Sequence, residues 1–220
     1  MAEPFDFLAA LTDQERDALE AAATRRRYPA GSVLFHQGDD AGVVLVILHG
    51  RAKTSLLSAD GREAVLGFPG PGELVGELSA VDGAPRAATV SALEELEALV
   101  LPGSAFRALL EAHPRLAFVL WRVAAARLLV ADRQRLEFAA YDVTGRVALR
   151  LVELADEQGV ADGSAELDLP LSHDELAAWT AASREAVSRA LMTLRQLGWV
   201  ETRRRRIVVL DLEALRRYAQ

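Results

Sequence analysis

The sequence predicts an α+β fold in three successive parts: a β-rich domain, one long helix, and a smaller domain of helices with a short hairpin. Residues 28–101 hold short alternating apolar runs separated by turn residues, a pattern typical of a barrel or sandwich. Residues 115–140 contain neither proline nor glycine and predict a helix about 40 Å long at 1.5 Å per residue. Beyond residue 171, two serines each precede a helical segment, and apolar runs bracket four consecutive arginines.

The composition excludes several kinds of site. Of the 220 residues, 51% are hydrophobic and 26% are charged, as in ordinary globular proteins. The absence of cysteine excludes disulfides, iron–sulfur clusters and thiolate zinc sites, and the four histidines lack metal-ligand spacing. No apolar run approaches the ~20 residues of a membrane helix, and the acidic start lacks the basic region of a signal peptide. We therefore expect a cytoplasmic protein without metal, haem, iron–sulfur cluster or membrane partner.

The charge is distributed unevenly along the chain. The net charge is −7, but residues 171–220 hold 9 Lys/Arg against 6 Asp/Glu, a balance of +3. The residues before them hold 16 Lys/Arg against 26 Asp/Glu, a balance of −10. An acidic body with a basic end is expected when only that end meets nucleic acid.

The N-terminal half is predicted to begin with a helix and to continue as strands. Thr12 and Glu15 form a capping box for a helix that ends near residue 23. We interpret the following run, Arg25–Arg27, as a solvated edge ahead of a strand rather than as a nucleic-acid contact. The predicted strands cover residues 33–35, 43–48, 52–57, 64–68 and 89–101.

Two short motifs between these strands have the chemistry of a nucleotide site. Gly76-Glu77-Leu78 precedes a short apolar turn, and Pro85-Arg86-Ala87-Ala88 follows it. Small residues let backbone N–H groups approach an anion, an arginine grips phosphate oxygens in a fork, and a carboxylate accepts hydrogen bonds from sugar hydroxyls. The alternative from the residues alone is a Glu–Arg salt bridge on a surface hairpin.

Both motifs resemble, residue for residue, the phosphate-binding cassette of cyclic-nucleotide-binding domains. The resemblance implies that Glu77 holds the ribose 2′-hydroxyl and Arg86 holds the cyclic phosphate. The spacing of the turn glycines is similar to that of the family's jelly-roll-like β-roll. The implied ligand-binding set is Gly76, Glu77, Leu78, Arg86, Ala87, Ala88, Arg127 and Asp132.

The long helix carries an apolar seam that predicts self-association. Ser104 is expected to cap a short preceding helix, and Pro114 suits the first turn of the long one. The alternative is a helix packed on its own domain, with Trp121, Val123 and Val130 facing the β-roll. The seam repeats at steps of four and three residues through Leu120, Ala124, Leu128, Ala131, Arg135 and Phe138, as in a coiled coil.

The C-terminal segment predicts a helix-turn-helix. Asp142 is placed as the N-cap of a helix that ends near residue 158, and residues 167–171 suggest a short strand. Ser172 and Glu175 form a second capping box, and Ser183 caps a further helix that ends before Gly198. Two short helices joined by a tight turn make up this motif.

The second helix of the motif exposes a polar face that suits DNA bases. Arginine pairs with guanine, glutamate accepts from a cytosine amine, and such helices read bases with their N-terminal residues. An ion pair between Glu185 and Arg189 is the alternative, as is a merely solvated arginine-rich hairpin. The implied DNA-binding set is Ser183, Arg184, Glu185, Ser188 and Arg189 on the helix, with Arg203, Arg204 and Arg205 at the hairpin tip over phosphates.

The arrangement of these parts resembles the cyclic AMP receptor protein (CRP/FNR) family of bacterial transcription regulators, and Ser183–Arg189 resembles its recognition helix. That resemblance implies a sensor domain at residues 1–113, a dimerisation helix at 114–141 with a hinge at Asp142, and a winged helix-turn-helix at 142–220. It also implies a homodimer that binds palindromic DNA with TGTGA-like half-sites, contacts RNA polymerase and responds to cyclic AMP (cAMP). The absence of a nucleophile–base pair or a phosphate loop argues against an enzyme.

Three positions depart from the family's cAMP pattern. Ala87 replaces a hydroxyl residue, Ala131-Asp132 replaces an adenine-contacting Thr-Ser pair, and Ala181 replaces a turn glycine. A left-handed alanine would cost about 1 kcal/mol. The Asp132 carboxylate accepts from either an adenine amine or a guanine N–H edge. The alternatives to cAMP are therefore another nucleotide, a cyclic dinucleotide included, and activity without a ligand.

Overall fold

A computed structural model describes residues 5–157, 165–167, 172–203 and 206–219. The chain divides into two compact units, residues 1–132 and 133–220. No helix among these described stretches has both the length and the apolar character required to cross a bilayer.

The first unit packs helices against two antiparallel four-stranded sheets, ordered β1-β8-β3-β6 and β2-β7-β4-β5. Helix α4 begins in this unit and ends in the second. The elements are α1 (Asp13–Ala22), β1 (Thr24–Tyr28), β2 (Val33–Phe35), β3 (Val43–His49), β4 (Ala52–Leu57), β5 (Glu63–Gly67), β6 (Leu74–Val75), α2 (Glu77–Asp82), β7 (Thr89–Ala92), β8 (Leu96–Pro102), α3 (Gly103–Ala112) and α4 (Pro114–Ala140).

The continuous apolar run of β3 follows from its position between two cores. Successive side chains of a strand point to opposite faces of the sheet. Val44 and Val46 therefore lie in a cluster with helical residues such as Phe106, whereas Leu45 and Ile47 lie in a cluster with residues of the second sheet. Every one of these side chains is at most 1% exposed, so β3 fixes the sheet between the helices and the second sheet.

Most elements of the first unit are confirmed, and the differences arise from distant contacts. The capping box of Thr12 and Glu15 is present. Arg25–Arg27 does not precede a strand but forms part of edge strand β1, where Glu97 accepts from Arg25 and Arg27 at 3.0 and 2.9 Å. Residues 89–101 form two strands rather than one.

The predicted N-cap of α3 was wrong, and the alternative packing of α4 on the β-roll is met only in part. Ser104 is not an N-cap: α3 begins at Gly103, and Pro102 caps it without a side-chain hydrogen bond. Of the three residues that the alternative places against the β-roll, Val123 is buried in the core, whereas Trp121 and Val130 are 68% and 38% exposed.

The second unit carries three helices, a three-stranded antiparallel sheet of order β10-β11-β9, and a final helix. The capping box of Ser172 and Glu175 and the N-cap of Ser183 are confirmed. The strand expected at 167–171 is found at 165–167, and residues 168–171 lie outside the described residues. The elements are α5 (Val143–Glu157), β9 (Ala165–Leu167), α6 (His173–Trp179), α7 (Arg184–Gln196), β10 (Val200–Arg203), β11 (Arg206–Val209) and α8 (Leu212–Tyr218).

The turn between α6 and α7 contains a strained alanine. Ala181 has φ +47°, in the left-handed region where an L side chain is strained. The buried stripe of α7, consisting of Val187, Leu191 and Leu194, is at most 3% exposed and holds the helix against its unit. This packing maintains the turn despite the local strain.

Candidate nucleotide site and DNA-reading helix

The cassette is a short helix held between two left-handed glycines. Helix α2 follows β6 directly, with Gly76 at φ +83° before it and Gly83 at φ +74° after it. A Cβ on Gly76 would lie 2.7 Å from Nη1 of Arg86 and 3.1 Å from the Val43 carbonyl oxygen, whereas a Cβ on Gly83 would meet nothing within 4 Å. Gly76 is therefore required for the approach of Arg86 as well as for the backbone turn.

Arg86 is buried inside this cradle. Its residue is 3% exposed, and its guanidinium donates from Nη1 to the Gly76 carbonyl at 2.8 Å and from Nη2 to the Val43 carbonyl at 2.5 Å. The Phe35 ring lies under it, 4.2 Å from Cζ to the ring centroid. Burial lowers the pKa of Arg86 from its ordinary value, and the charges of Asp39 and Glu77 oppose that shift.

Glu77 faces the long helix. The carboxylate is 2% exposed, and one of its oxygens, Oε1, pairs with Nη1 of Arg127 on α4. Arg127 also donates from Nη2 to the Leu74 carbonyl of β6. This pair ties α4 to the start of the cassette. The surface salt bridge between Glu77 and Arg86 that the residues alone allowed is wrong, because both side chains are buried.

Two buried polar atoms of the cassette remain without a hydrogen bond. Among the described residues, Nε of Arg86 and Oε2 of Glu77 have no partner. Buried polar atoms are nearly always paired, so such orphans require an explanation. The Arg86 guanidinium has five N–H donors, of which two bond to the Gly76 and Val43 carbonyls and three do not. The free acceptor on Glu77 suits a sugar hydroxyl, and the free donors on Arg86 suit a phosphate. The site therefore fits a nucleotide.

The structure brings together four of the eight predicted ligand residues: Gly76, Glu77, Arg86 and Arg127. Leu78 is 53% exposed on α2, Ala87 is exposed and Ala88 is partly buried. Asp132 is exposed on α4, about 7.5 Å along the helix axis beyond Arg127 at 1.5 Å per residue. The sequence did not indicate that Phe35 and the Val43 carbonyl contact Arg86, since both lie more than 40 positions away.

The second helix of the helix-turn-helix presents the predicted polar face. Arg184, Glu185 and Arg189 are exposed near the start of α7, and the Ser183 hydroxyl accepts from the Ala186 N–H at 3.2 Å. Hydrogen bonds hold the pKa of the Glu185 carboxyl below its ordinary value, chiefly from its own backbone N–H and secondly from the Ser183 hydroxyl. This side chain is therefore an ionised acceptor near neutral pH.

Two residues of α6, which the sequence did not single out, touch this face. Asp174 lies 3.7 Å from Nε of Arg184, and Nδ1 of His173 lies 3.2 Å from the hydroxyl of Ser188. The predicted hairpin is formed by β10 and β11. Of its arginines, Arg203 ends β10, while Arg204 and Arg205 lie outside the described residues.

Both parts of the chain match known families. The family model of the cyclic nucleotide-binding domain matches residues 25–113, and that of the Crp-like helix-turn-helix domain matches residues 145–218. The first match contains the cassette and the second contains α6, α7 and the hairpin.

Similar proteins match over most of the chain. The CRP-like cAMP-activated global transcriptional regulator of Mycobacterium tuberculosis is 31% identical over 194 residues, which cover 88% of this chain and 87% of that protein. The cyclic AMP receptor protein of Thermus thermophilus is 34% identical over 190 residues, with 86% and 85% covered. The c-di-GMP-responsive global regulator CLP of Xanthomonas campestris superposes with a TM-score of 0.81 at 27% identity and covers 91% of this chain and 100% of its own.

Proposed function

Because this chain belongs to the cyclic AMP receptor protein (CRP/FNR) family of cyclic nucleotide-responsive transcription regulators, we propose that it is a homodimer that cAMP switches between weak and strong binding to palindromic DNA. Members of this family are DNA-binding regulators and not enzymes. The observation that carries the proposal is the buried cassette in which Gly76, Glu77, Arg86 and Arg127 meet.

The residues of the cassette would hold the nucleotide by its phosphate and its ribose. Arg86 supplies the cation for a cyclic phosphate, and Oε2 of Glu77 is the acceptor for a ribose hydroxyl. Arg86 is only 3% exposed, so an anion reaches it only when the cassette rearranges. Since Arg127 joins Glu77 to α4, such a rearrangement bears directly on the long helix. The cAMP-activated relatives support cAMP as this ligand.

The exposed side of α4 supports dimerisation. Large apolar side chains rarely stand exposed in a row on a monomer, and such surfaces mark interaction sites. Two members of the predicted seam, Leu128 and Phe138, are among those exposed. The exposed apolar residues of α4 are Phe118, Trp121, Leu128, Leu129, Val130, Leu136 and Phe138, each between 38% and 68%.

The recognition helix α7 would read the DNA. A dimer places two such helices about 34 Å apart in successive major grooves of a palindrome. Arg184, Glu185, Ser188 and Arg189 would meet base edges of TGTGA-like half-sites, and the arginines of the β10–β11 hairpin would meet phosphates. We also propose RNA polymerase as a partner, and the division into sensor (1–113), dimerisation helix (114–141) and DNA-binding domain (142–220).

A second candidate is the same regulator with a guanine nucleotide as effector. Asp132 stands where a hydroxyl residue is expected, and an ionised carboxylate accepts from the N–H edge of guanine. The structural similarity to a c-di-GMP-responsive regulator supports this alternative. Ligand-independent DNA binding is a third outcome.

Calorimetric titration of cAMP and, separately, c-di-GMP into the purified protein tests the sensor. We expect wild-type protein to bind cAMP and Arg86→Ala to lose that binding, because the variant lacks the phosphate-binding cation. Arg62→Ala is the matched control, since Arg62 is an exposed arginine of the same unit whose guanidinium pairs with Asp60. Equal cAMP affinity of wild type and Arg86→Ala would reject the site. Sedimentation of the same samples reports whether the protein is a dimer.

A further inference from the structure

Two arginines on one face of α5 join the end of α4 to the first helix of the helix-turn-helix. Arg146 and Arg150 are four residues apart and therefore project from the same side of the helix. Arg146 donates from Nη1 to the Tyr141 carbonyl at 2.8 Å and from Nε to the Thr180 carbonyl at 2.9 Å. Thr180 is the C-cap of α6. One side chain thus bonds to the α4–α5 turn and to the end of α6.

Arg150 makes the second connection and is more deeply buried. The residue is 2% exposed, and its guanidinium pairs with Glu137 of α4 through Nη2 and with Glu153 of α5 through Nη1. The guanidinium carbon lies 5.2 Å from the ring centroid of Trp179, the last residue of α6. Glu137 itself is 4% exposed, so the ion pair is shielded from water on both sides.

Local contacts also stabilise the junction between α4 and α5. Oδ1 of Asp142 accepts from the Gly145 N–H at 2.8 Å, as expected of an N-cap. Tyr141 packs so closely on Gly145 that a Cβ there would lie 3.2 Å from two of its side-chain carbons. The boundary between the two compact units falls earlier, between Asp132 and Arg133. The last two turns of α4 therefore belong to the second compact unit.

A gain in folding stability does not explain why the ion pair between Glu137 and Arg150 is buried. A buried ion pair must recover the cost of removing two charges from water, and replacing such pairs by apolar residues is often neutral or favourable. Burial, with help from the nearby Glu153, raises the pKa of Glu137 above its ordinary value, although Arg150 and Arg133 oppose that shift. A raised carboxyl pKa means that the ionised form is disfavoured in the folded state. The pairing with Arg150 therefore only partly offsets the cost of burying this carboxylate.

We propose that Glu137, Arg146 and Arg150 are positioning residues that make the last turn of α4, helix α5 and helix α6 one rigid body. Recognition helix α7 packs on both α5 and α6. The effector response, which rests on the proposed function, would then reach α7 as a rotation of that whole body. The flexible point of α4 lies before Glu137 and not at Asp142, where the sequence suggested a hinge.

The first test measures coupling in the full-length protein. The ratio of DNA affinities with and without cAMP is compared among wild type, Glu137→Gln and Asp156→Asn by fluorescence anisotropy on a TGTGA-type palindrome. Glu137→Gln keeps the shape of the side chain but removes the charge that holds Arg150. Asp156→Asn is the matched control, because Asp156 also lies on α5 and pairs with an arginine, Arg216 of α8, but not with α4 or α6. Allosteric couplings are typically 5- to 150-fold.

We expect Glu137→Gln to remove most of the cAMP-induced gain, leaving about twofold or less, while cAMP affinity in the absence of DNA stays within about twofold of wild type. Asp156→Asn should retain the full gain. A merely structural role would reduce expression or thermal stability without this selective loss. An unchanged gain in Glu137→Gln would overturn the proposal.

The second test needs neither ligand nor DNA. Because the chain has no cysteine, spin labels are placed at Ala140→Cys and Arg195→Cys, both exposed, in labelled protein diluted with excess unlabelled chain. The distance distribution should be narrow in the labelled parent and in Asp156→Asn, and at least twice as broad in Glu137→Gln. A narrow distribution in Glu137→Gln refutes the rigid body. If cAMP fails to alter DNA binding by wild type, the proposed function fails, and this distribution still decides the rigid body.

Discussion

Alanine at Gly76 should damage both the stability and the ligand affinity of the sensor, whereas alanine at Gly83 should affect stability alone. Both glycines have left-handed φ values, so each alanine costs about 1–2 kcal/mol in the folded state. Reduced freedom of the unfolded chain returns about 0.4–1 kcal/mol. The net loss expected for Gly83→Ala is therefore about 0–1.6 kcal/mol.

Gly76→Ala carries an additional cost because its Cβ would lie 2.7 Å from Nη1 of Arg86. The guanidinium must leave the Gly76 carbonyl, and a hydrogen bond from a charged donor is worth about 1.5–3 kcal/mol. The total loss is then about 1.5–4.6 kcal/mol, which a domain of ordinary stability survives. Since Arg86 no longer occupies its position, we also expect at least a tenfold loss of cAMP affinity.

Urea unfolding followed by circular dichroism, together with calorimetric titration of cAMP, measures the two quantities on matched samples. We expect the two variants to differ by about 1.5–3 kcal/mol in unfolding free energy, the value of the lost hydrogen bond. Equal losses of stability and equal cAMP affinities in Gly76→Ala and Gly83→Ala would show that Gly76 does not position Arg86.

Three further outcomes follow from the described contacts. Ala181→Gly should stabilise the second unit by about 0.5–1 kcal/mol in urea unfolding, because it relieves the φ of +47°, whereas Ala182→Gly, without a positive φ, should destabilise it. Arg115, chiefly by hydrogen bonding, lowers the pKa of Glu15 to about 2 from 4.5, so Glu15 stabilises the fold above pH 4.5 and this contribution is lost as pH falls towards 2. The melting-temperature deficit of Glu15→Gln should therefore shrink over that range, and a constant deficit would contradict the pairing. Leu128→Glu, at a 59% exposed position of the seam, should convert the dimer to monomer in sedimentation without unfolding the chain; an unchanged dimer would exclude this face.

Local rules of the sequence predicted much of the architecture. The N-caps Thr12, Ser172 and Ser183 each occupy the position that their side chains predict, since a cap depends only on residues within one turn. The strain at Ala181 was indicated instead by the resemblance to a family that often has glycine at this turn position. The cassette glycine and the buried arginine were found because their spacing is itself a motif.

Features that depend on distant partners escaped prediction. The charged run in β1 does not resemble a strand, and it forms one because β8 supplies the pairing and Glu97 supplies the countercharge. Glu137 resembles a solvated residue of a polar helix, yet Arg150, thirteen positions later, buries it. Phe35 and Val43 reach Arg86 only through the sheet packing. Periodicity carries no information about such contacts.

We propose above that a nucleotide held at Glu77 and Arg86 controls DNA binding by α7. The most direct measurement is a titration of the protein into a labelled TGTGA-type palindrome at fixed salt, without nucleotide, with cAMP and with c-di-GMP. We predict a gain in affinity of about fivefold or more with cAMP, which should be absent on a scrambled probe and absent in Arg86→Ala. Equal affinity for the palindrome under all three conditions would contradict it.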